Sequence, residues 1–188
     1  RGLLIVSDVR MPQTVSLVPA KPDPRLADVK DRPPPSQKAV AYKAHNTWML
    51  SPLFAPCLQP PHGMLSAIDL KTREVVWSVP TGTAEAQAPL GLQSHLPIPI
   101  GTIGLGGPVT TAGGLTFRSA TTDPYLRAYD NATGRELWKA RLPVPSSSTP
   151  MTYVSPSGKQ YVVVTAGGSA AAGPTAPKGD YVIAYALP

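Results

Sequence analysis

The chain has a single cysteine, Cys57, among 188 residues. It can therefore form no internal disulfide, and no Cys-x-x-Cys metal or redox motif is possible. His45 and His62 flank Cys57 in sequence, but no activating pattern accompanies them, and the thiol reads as a small buried or loop residue. Aromatic residues are scarce, at 6%, and no apolar run approaches the roughly 18 residues of a membrane helix. Charge is sparse as well. The formal net charge is +6, yet the Lys and Arg residues are scattered with no aromatic-basic stripe. A nucleic-acid footprint clusters its cations, so no nucleic-acid partner is expected. Gly101-x-x-Gly104-x-Gly106-Gly107 lacks the strand-then-helix context of a phosphate loop. His45, His62 and His95 are too scattered to suggest a metal site, and Asn131-Ala132-Thr133 is a glycosylation sequon by letters only.

Proline is what the chain has in plenty, with 24 residues. It concentrates in three long loops expected near 19–38, 51–62 and 84–105. The first holds Pro19, Pro22, Pro24 and Pro33-Pro34-Pro35 among charged residues and is expected to be exposed. The second, SPLFAPCLQPPH, is more apolar and is expected to be packed. A buried strand is expected over 2–9, and two more near 64–69 and 74–79, joined by Lys71, Thr72 and Arg73. Four follow near 108–111, 115–120, 125–130 and 136–141, then three near 150–154, 160–165 and 180–186.

One pattern of eleven residues occurs twice, as AIDLKTREVVW from Ala67 to Trp77 and AYDNATGRELW from Ala128 to Trp138. Asp, Thr and Trp fall at the same offsets, and the copies start roughly sixty residues apart with about four strand signals per period. That is the signature of a β-propeller, each repeat being one blade. VIAYALP aligns with LRAYDNA, so Ala184 and Tyr185 repeat Ala128 and Tyr129. Asp and Thr at the turn satisfy local backbone donors, while Trp77 and Trp138 are assigned to docking between blades. The expected fold is all-β, a partial β-propeller filling 1–188 with under three blades. Arg1 leads straight into strand-like sequence and the last blade stops one strand short, so the chain reads as a segment whose partners include the missing blades.

The AxDxxTGxxxW repeat resembles the tryptophan-docking motif of the quinoprotein dehydrogenases, which use pyrroloquinoline quinone (PQQ). The strings GGPVTTAGGLTF, TTDPYLRAYD, RLPVPSSSTPMTY, GKQYVVVTAGG and GDYVIAYALP are similar, in order and spacing, to the C-terminal end of the membrane-bound glucose, polyol and quinate group. SPLFAPCLQPPHGMLSAIDLKTREVVW resembles it too, including Cys57, Pro60 and Pro61. The resemblance implies an eight-bladed propeller with PQQ and a calcium-type divalent cation near its axis. It further implies oxidation of a small-molecule alcohol or sugar at the periplasmic face of the bacterial inner membrane, with ubiquinone as electron acceptor. The family's base and metal ligands lie in other blades, so no catalytic or metal-binding residue is expected here. The family string Ala-Thr-x-Asp matches Ala120-Thr121-Thr122-Asp123, which offers Asp123 to the substrate pocket, or else to an Asp-Pro turn. Gly167, Gly168 and Ser169 match the loop that approaches the cofactor, with Ser169 where the family has His. Ser146-Ser147-Ser148 replaces Gly-Gly-Gln, and His62 replaces Trp. Two other readings are a cofactor-free propeller scaffold for envelope assembly and a non-functional remnant.

Overall fold

The computed structural model of the chain describes residues 2–19, 41–52, 56–86, 94–172 and 176–186. Strands run in chain order as β1 (Leu3–Val9), β2 (Gln13–Pro19), β3 (Tyr42–Trp48), β4 (Gly63–Asp69), β5 (Val75–Pro80), β6 (Val109–Thr110), β7 (Leu115–Arg118), β8 (Tyr125–Asp130), β9 (Glu136–Arg141), β10 (Met151–Val154), β11 (Gln160–Ala166) and β12 (Tyr181–Ala186). Among the described residues the only helices are two short 3-10 turns, Ala84–Ala86 and Ala170–Ala172. The fold is all-β.

Three antiparallel sheets follow one another, ordered β1-β4-β5, β6-β7-β8-β9 and β10-β11-β12. A separate β2-β3 hairpin is inserted between β1 and β4. The middle sheet is a complete four-stranded blade, and the repeat marks its third and fourth strands. By register, β1, β7 and β11 are equivalent, as are β4, β8 and β12.

The two copies share their turn hydrogen bonds from backbone N–H groups to the Asp and Thr side chains. Asp130 Oδ1 accepts from the backbone N–H groups of Ala132 (2.9 Å) and Thr133 (2.8 Å), and Thr133 Oγ1 accepts from Arg135 N (3.3 Å). In the earlier copy Asp69 Oδ1 accepts from Lys71 N (2.8 Å) and Thr72 N (3.1 Å), and Thr72 Oγ1 from Glu74 N (3.3 Å). Hydrogen bonds from Thr133, side chain first and then backbone, hold the Asp130 carboxyl below the usual carboxylate range. Each copy carries a register shift at the same place, Ala67/Ile68 and Ala128/Tyr129, which sharpens the local twist. The turn also needs a positive φ, taken by Gly134 (72°) in one copy and by Arg73 (65°) in the other. Glycine does this without strain; arginine does not.

The apolar core lies between the second and third sheets. Leu126, Leu142, Val144, Val162, Val164 and Ala166 form it, with Phe117, Ile183 and Tyr185 packed against its rim. Two expectations need correcting. The first strand is not buried: β1 is an edge strand, Leu4 and Val9 are exposed, and no described strand pairs with its outer side. Where it is described, the apolar loop at 51–62 is not packed either: Pro52 and 57–60 are exposed, Ser51, Pro56 and Pro61 are half-buried, and only His62 is buried. Apolar sequence alone buries nothing unless some other part of the chain reaches over it. Strands β2 and β3 were not foreseen. The exposed loop expected at 19–38 lies outside the described residues apart from Pro19.

Candidate functional site

Strands β7 and β11 end, and β8 and β12 begin, where three connecting loops meet. Hydrogen bonds across the sheets place those loops at one end of the molecule. Thr83, just beyond β5, donates to Asp123 Oδ2 through its backbone N–H (2.7 Å) and its hydroxyl (2.8 Å). Ser119 Oγ donates to Ser148 O (2.9 Å) and lies 3.4 Å from Ser146 Oγ. Ser147 Oγ in turn donates to Gly168 O (3.4 Å), and Gly168 N to Pro145 O (2.8 Å). A continuous polar seam therefore crosses this end from the first blade to the third.

Asp123 anchors the seam. Arg127, four residues on in β8, donates Nη1 to Oδ1 (3.0 Å) and Nη2 to Oδ2, and Thr121 Oγ1 donates to Oδ1 (2.5 Å). The Asp123 side chain has no exposed surface and that of Arg127 only 2%. Burial by itself would raise the carboxyl's pKa. The hydrogen bonds and charge of Arg127, with Thr121 and Thr83, outweigh it and hold the group below its ordinary value. Burial opposes the charge of Arg127 too, but Asp123 and then Glu136, at 3.1 Å from Nε, raise its pKa instead. Asp123 thus sits in the Asp-Pro turn, with both oxygens engaged. Its chemistry is that of an inter-blade clamp. No local pattern marks Thr83, forty positions upstream; Arg127, four residues on, is the nearer signal.

Gly167, Gly168 and Ser169 lie at the other end of the seam. Gly168 has φ 104°, and a Cβ there would stand 3.0 Å from Pro177 O, so its close approach is to the chain's own 176–179 segment. Ser169 is buried and its carbonyl accepts from Ala172 N (3.1 Å). No hydrogen bond is shared between this loop and Asp123; the link between them runs through Ser119 and Ser146–Ser148. Of the docking residues, Trp77 donates Nε1–H to Asn131 O (3.0 Å), and its ring covers Gly134. Trp138 meets the Tyr185 ring edge-on at 5.3 Å.

Arg118 was not anticipated. It is 1% exposed, and Nη1 donates to Gly106 O (3.3 Å), while Nε and Nη2 are buried without a partner. Desolvation lowers its pKa. Its cross-strand neighbour is Arg127, and the equivalent positions in the other two sheets hold Val6 and Val164. Thr81 Oγ1, Thr122 Oγ1 and His62 Nδ1 are also buried and unpartnered; burial lowers the His62 pKa. Asp8 Oδ1 is buried and unpartnered as well, and its charge supports that of Arg118. No group of three His, Cys, Asp or Glu side chains is placed to hold a metal among the described residues, and Asp123 has no free oxygen. The described residues therefore do not fit a divalent cation. A cleft of about 490 Å³ at the opposite end, between Leu3, Ile5 and the Thr110–Leu115 turn, has Asp130 as its one acid, already held within its own turn.

Comparison with known proteins bears on this arrangement. Residues 1–162 match the family model for the PQQ glucose/ethanol/alcohol dehydrogenase β-propeller domain. A probable quinate dehydrogenase (quinone) from Xanthomonas campestris pv. juglandis is 55% identical over 80% of this chain and 19% of the relative. The quinate/shikimate dehydrogenase (quinone) of Acinetobacter baylyi is 53% identical, over 80% of this chain and 18% of the relative. The quinoprotein glucose dehydrogenase of Escherichia coli is 40% identical over all of this chain and 24% of the relative. Among solved structures, a europium-containing methanol dehydrogenase superposes with a TM-score of 0.56 at 25% identity, covering 89% of this chain and 23% of its own. The chain thus spans about a fifth to a quarter of the length of the curated relatives it matches.

Proposed function

The chain belongs to the PQQ-dependent glucose/ethanol/alcohol dehydrogenase β-propeller family, and on that premise we propose that it supplies consecutive blades to a quinoprotein oxidising a cyclic polyol or sugar. Identity favours the quinate class. The relatives named for quinate stand at 53% and 55%, against 40% for the glucose enzyme. In this reading bound PQQ accepts the substrate's electrons, a calcium-type ion is held by residues of other blades, and ubiquinone at the periplasmic membrane face is the final acceptor.

The chain's own part is architectural and electrostatic. Asp123 and Arg127 lock the first blade to the second at the loop end, and Trp77 locks them at the turn end. Gly167, Gly168 and Ser169 present backbone beside the cofactor, held in place by Ser147 and Pro145. Asp123 borders the substrate region from below, stiffening the loop that carries Ser119 and Thr121. The observation that carries this reading is the docking of Trp77 on the following turn, the contact the family's repeat exists to make.

Exchanging the matching segment of the Xanthomonas relative for this chain tests it. Purified with PQQ and Ca²⁺, the chimera should reduce an artificial electron acceptor faster with quinate than with glucose. A folded chimera that binds PQQ and prefers glucose would refute the substrate class. A folded chimera that binds no PQQ would refute the dehydrogenase reading.

A further inference from the structure

Register fixes what stands beside each strand of a blade. Leu4 and Ile5 of β1 are equivalent to Thr116 and Phe117 of β7 and to Val162 and Val163 of β11. On its outer side β7 carries β6, with Val109 opposite Phe117 and Thr110 opposite Thr116. Strand β11 likewise carries β10, with Met151 opposite Val163 and Thr152 opposite Val162. Both of these added strands read Pro-apolar-Thr, as Pro108-Val109-Thr110 and Pro150-Met151-Thr152. Proline has no N–H to give and suits the first position of an edge strand. Strand β1 has no such neighbour among the described residues, and its outer backbone groups are left open. Leu4 is 46% exposed, while its counterparts Thr116 and Val162 are buried. The cleft of about 490 Å³ beside β1 runs from Leu3 and Ile5 to the Thr110–Leu115 turn of the second blade.

We propose that the open edge of β1, with this cleft, is an acceptor site for an incoming strand of the pattern Pro-apolar-Thr. The strand lies antiparallel to β1, its apolar residue opposite Ile5 and its Thr opposite Leu4. Cross-strand partners share a face of the sheet, and Leu3 and Ile5 line the cleft, so the apolar side chain enters it. The chain's own copies, Val109 and Met151, set the size of that side chain. The backbone ladder supplies affinity, and the cleft beside Ile5 supplies the choice of sequence. An acidic residue in that position would meet apolar walls and the carboxylate of Asp130. The occupant is a further stretch of the same parent polypeptide, because a blade built on this repeat supplies the pattern. To that extent the proposal rests on the reading of the chain as consecutive blades.

The test adds a synthetic peptide with the sequence of Gly106–Ala112, GGPVTTA, to the intact chain and follows amide hydrogen exchange. Saturating peptide should slow exchange at the outward-facing amides of β1 roughly tenfold and leave β2 and β3 unchanged. A peptide carrying Val109→Met, the side chain that β10 uses, should bind within about threefold of the first. A peptide carrying Val109→Asp should bind roughly tenfold more weakly or worse. In the chain, Ile5→Asp should weaken binding of the first peptide by a similar factor. The peptide series decides the matter even if that variant fails to fold. Unchanged exchange in β1 at millimolar peptide would overturn the proposal. So would equal binding of the Val109→Asp peptide, or protection that falls on another strand edge. Protection of β1 without peptide, lost on dilution, would give the edge to a second copy and overturn the assignment too. Peptide binding needs neither PQQ nor substrate, so a chimera that fails to bind PQQ leaves this result standing.

Discussion

The junction between the first and second blades is polar at both ends, whereas the junction between the second and third adds an apolar core to its polar loop end. At the first, Asp123 takes both donors of Thr83, and Trp77 donates to Asn131 O. At the second, Leu126, Leu142, Val144, Val162 and Val164 interdigitate, and Trp138 has only the Tyr185 edge. The tryptophans come from identical turns with identical bulges. What differs is the receiving surface. Trp77 finds the Asn131–Gly134 turn of the next blade. The counterpart of Asn131 for Trp138, counted from Ala184, is Leu187, which lies outside the described residues. A repeat thus fixes the local turn, and the neighbour fixes what the repeat is worth.

The largest expected effect falls on the polar junction. Asp123→Asn leaves the Arg127 guanidinium buried without its full counter-charge, at a cost of about 3–5 kcal/mol in stability. The sign of its pH dependence follows from the lowered carboxyl pKa. The native contribution is complete above the ordinary value of about 4 and is lost as pH falls through the lower folded value. Denaturant melts from pH 6 down to 2 should therefore show a steeper slope in the parent than in the variant, which keeps only the smaller contribution of Asp130. Next comes the turn that receives Trp77. A Cβ on Gly134 would lie 2.5 Å from Trp77 Cε3 at a positive φ, so Gly134→Ala should cost about 2–4 kcal/mol. Gly158→Ala has a positive φ but open space, and should cost about 1 kcal/mol. Equal losses would mean that Trp77 is not docked there.

Truncating the tryptophans compares the junctions directly. Trp77→Ala should cost about 3 kcal/mol and Trp138→Ala, 41% exposed, about 1 kcal/mol in thermal melts. The smallest effect has the opposite sign. Arg118→Val, which copies the residue found at Val6 and Val164, should stabilise the chain by about 1–2 kcal/mol, because a buried guanidinium with Nε and Nη2 unpartnered is replaced by one of the valines its equivalents already use. A destabilised Arg118→Val would show that the unpaired nitrogens have partners after all.

The blades themselves were legible because their signals are local. Asp130, Thr133 and Gly134 announce a hairpin within four residues, and β8 and β9 fall on the residues their pattern marks. The hairpin β2-β3 was not legible. Proline crowds its ends, and its apolar face points outward, so alternation gave no clue to burial. The site was read only at its endpoints. Asp123 and Gly167–Ser169 could be picked out along the chain, but the groups that engage them, Thr83, Arg127 and Ser147, are set by how sheets meet. Arg118 carried a signal that went unused: a lone charge in a strand whose counterparts are valine.

The most direct test is hydrogen exchange at the two indoles, followed by NMR on the intact chain. If these sheets stack as blades, the Trp77 indole N–H, bonded to Asn131 O, should exchange far more slowly than that of Trp138. Equal, fast exchange at both rings would mean that no blade receives Trp77, and the stacked architecture would fall with it.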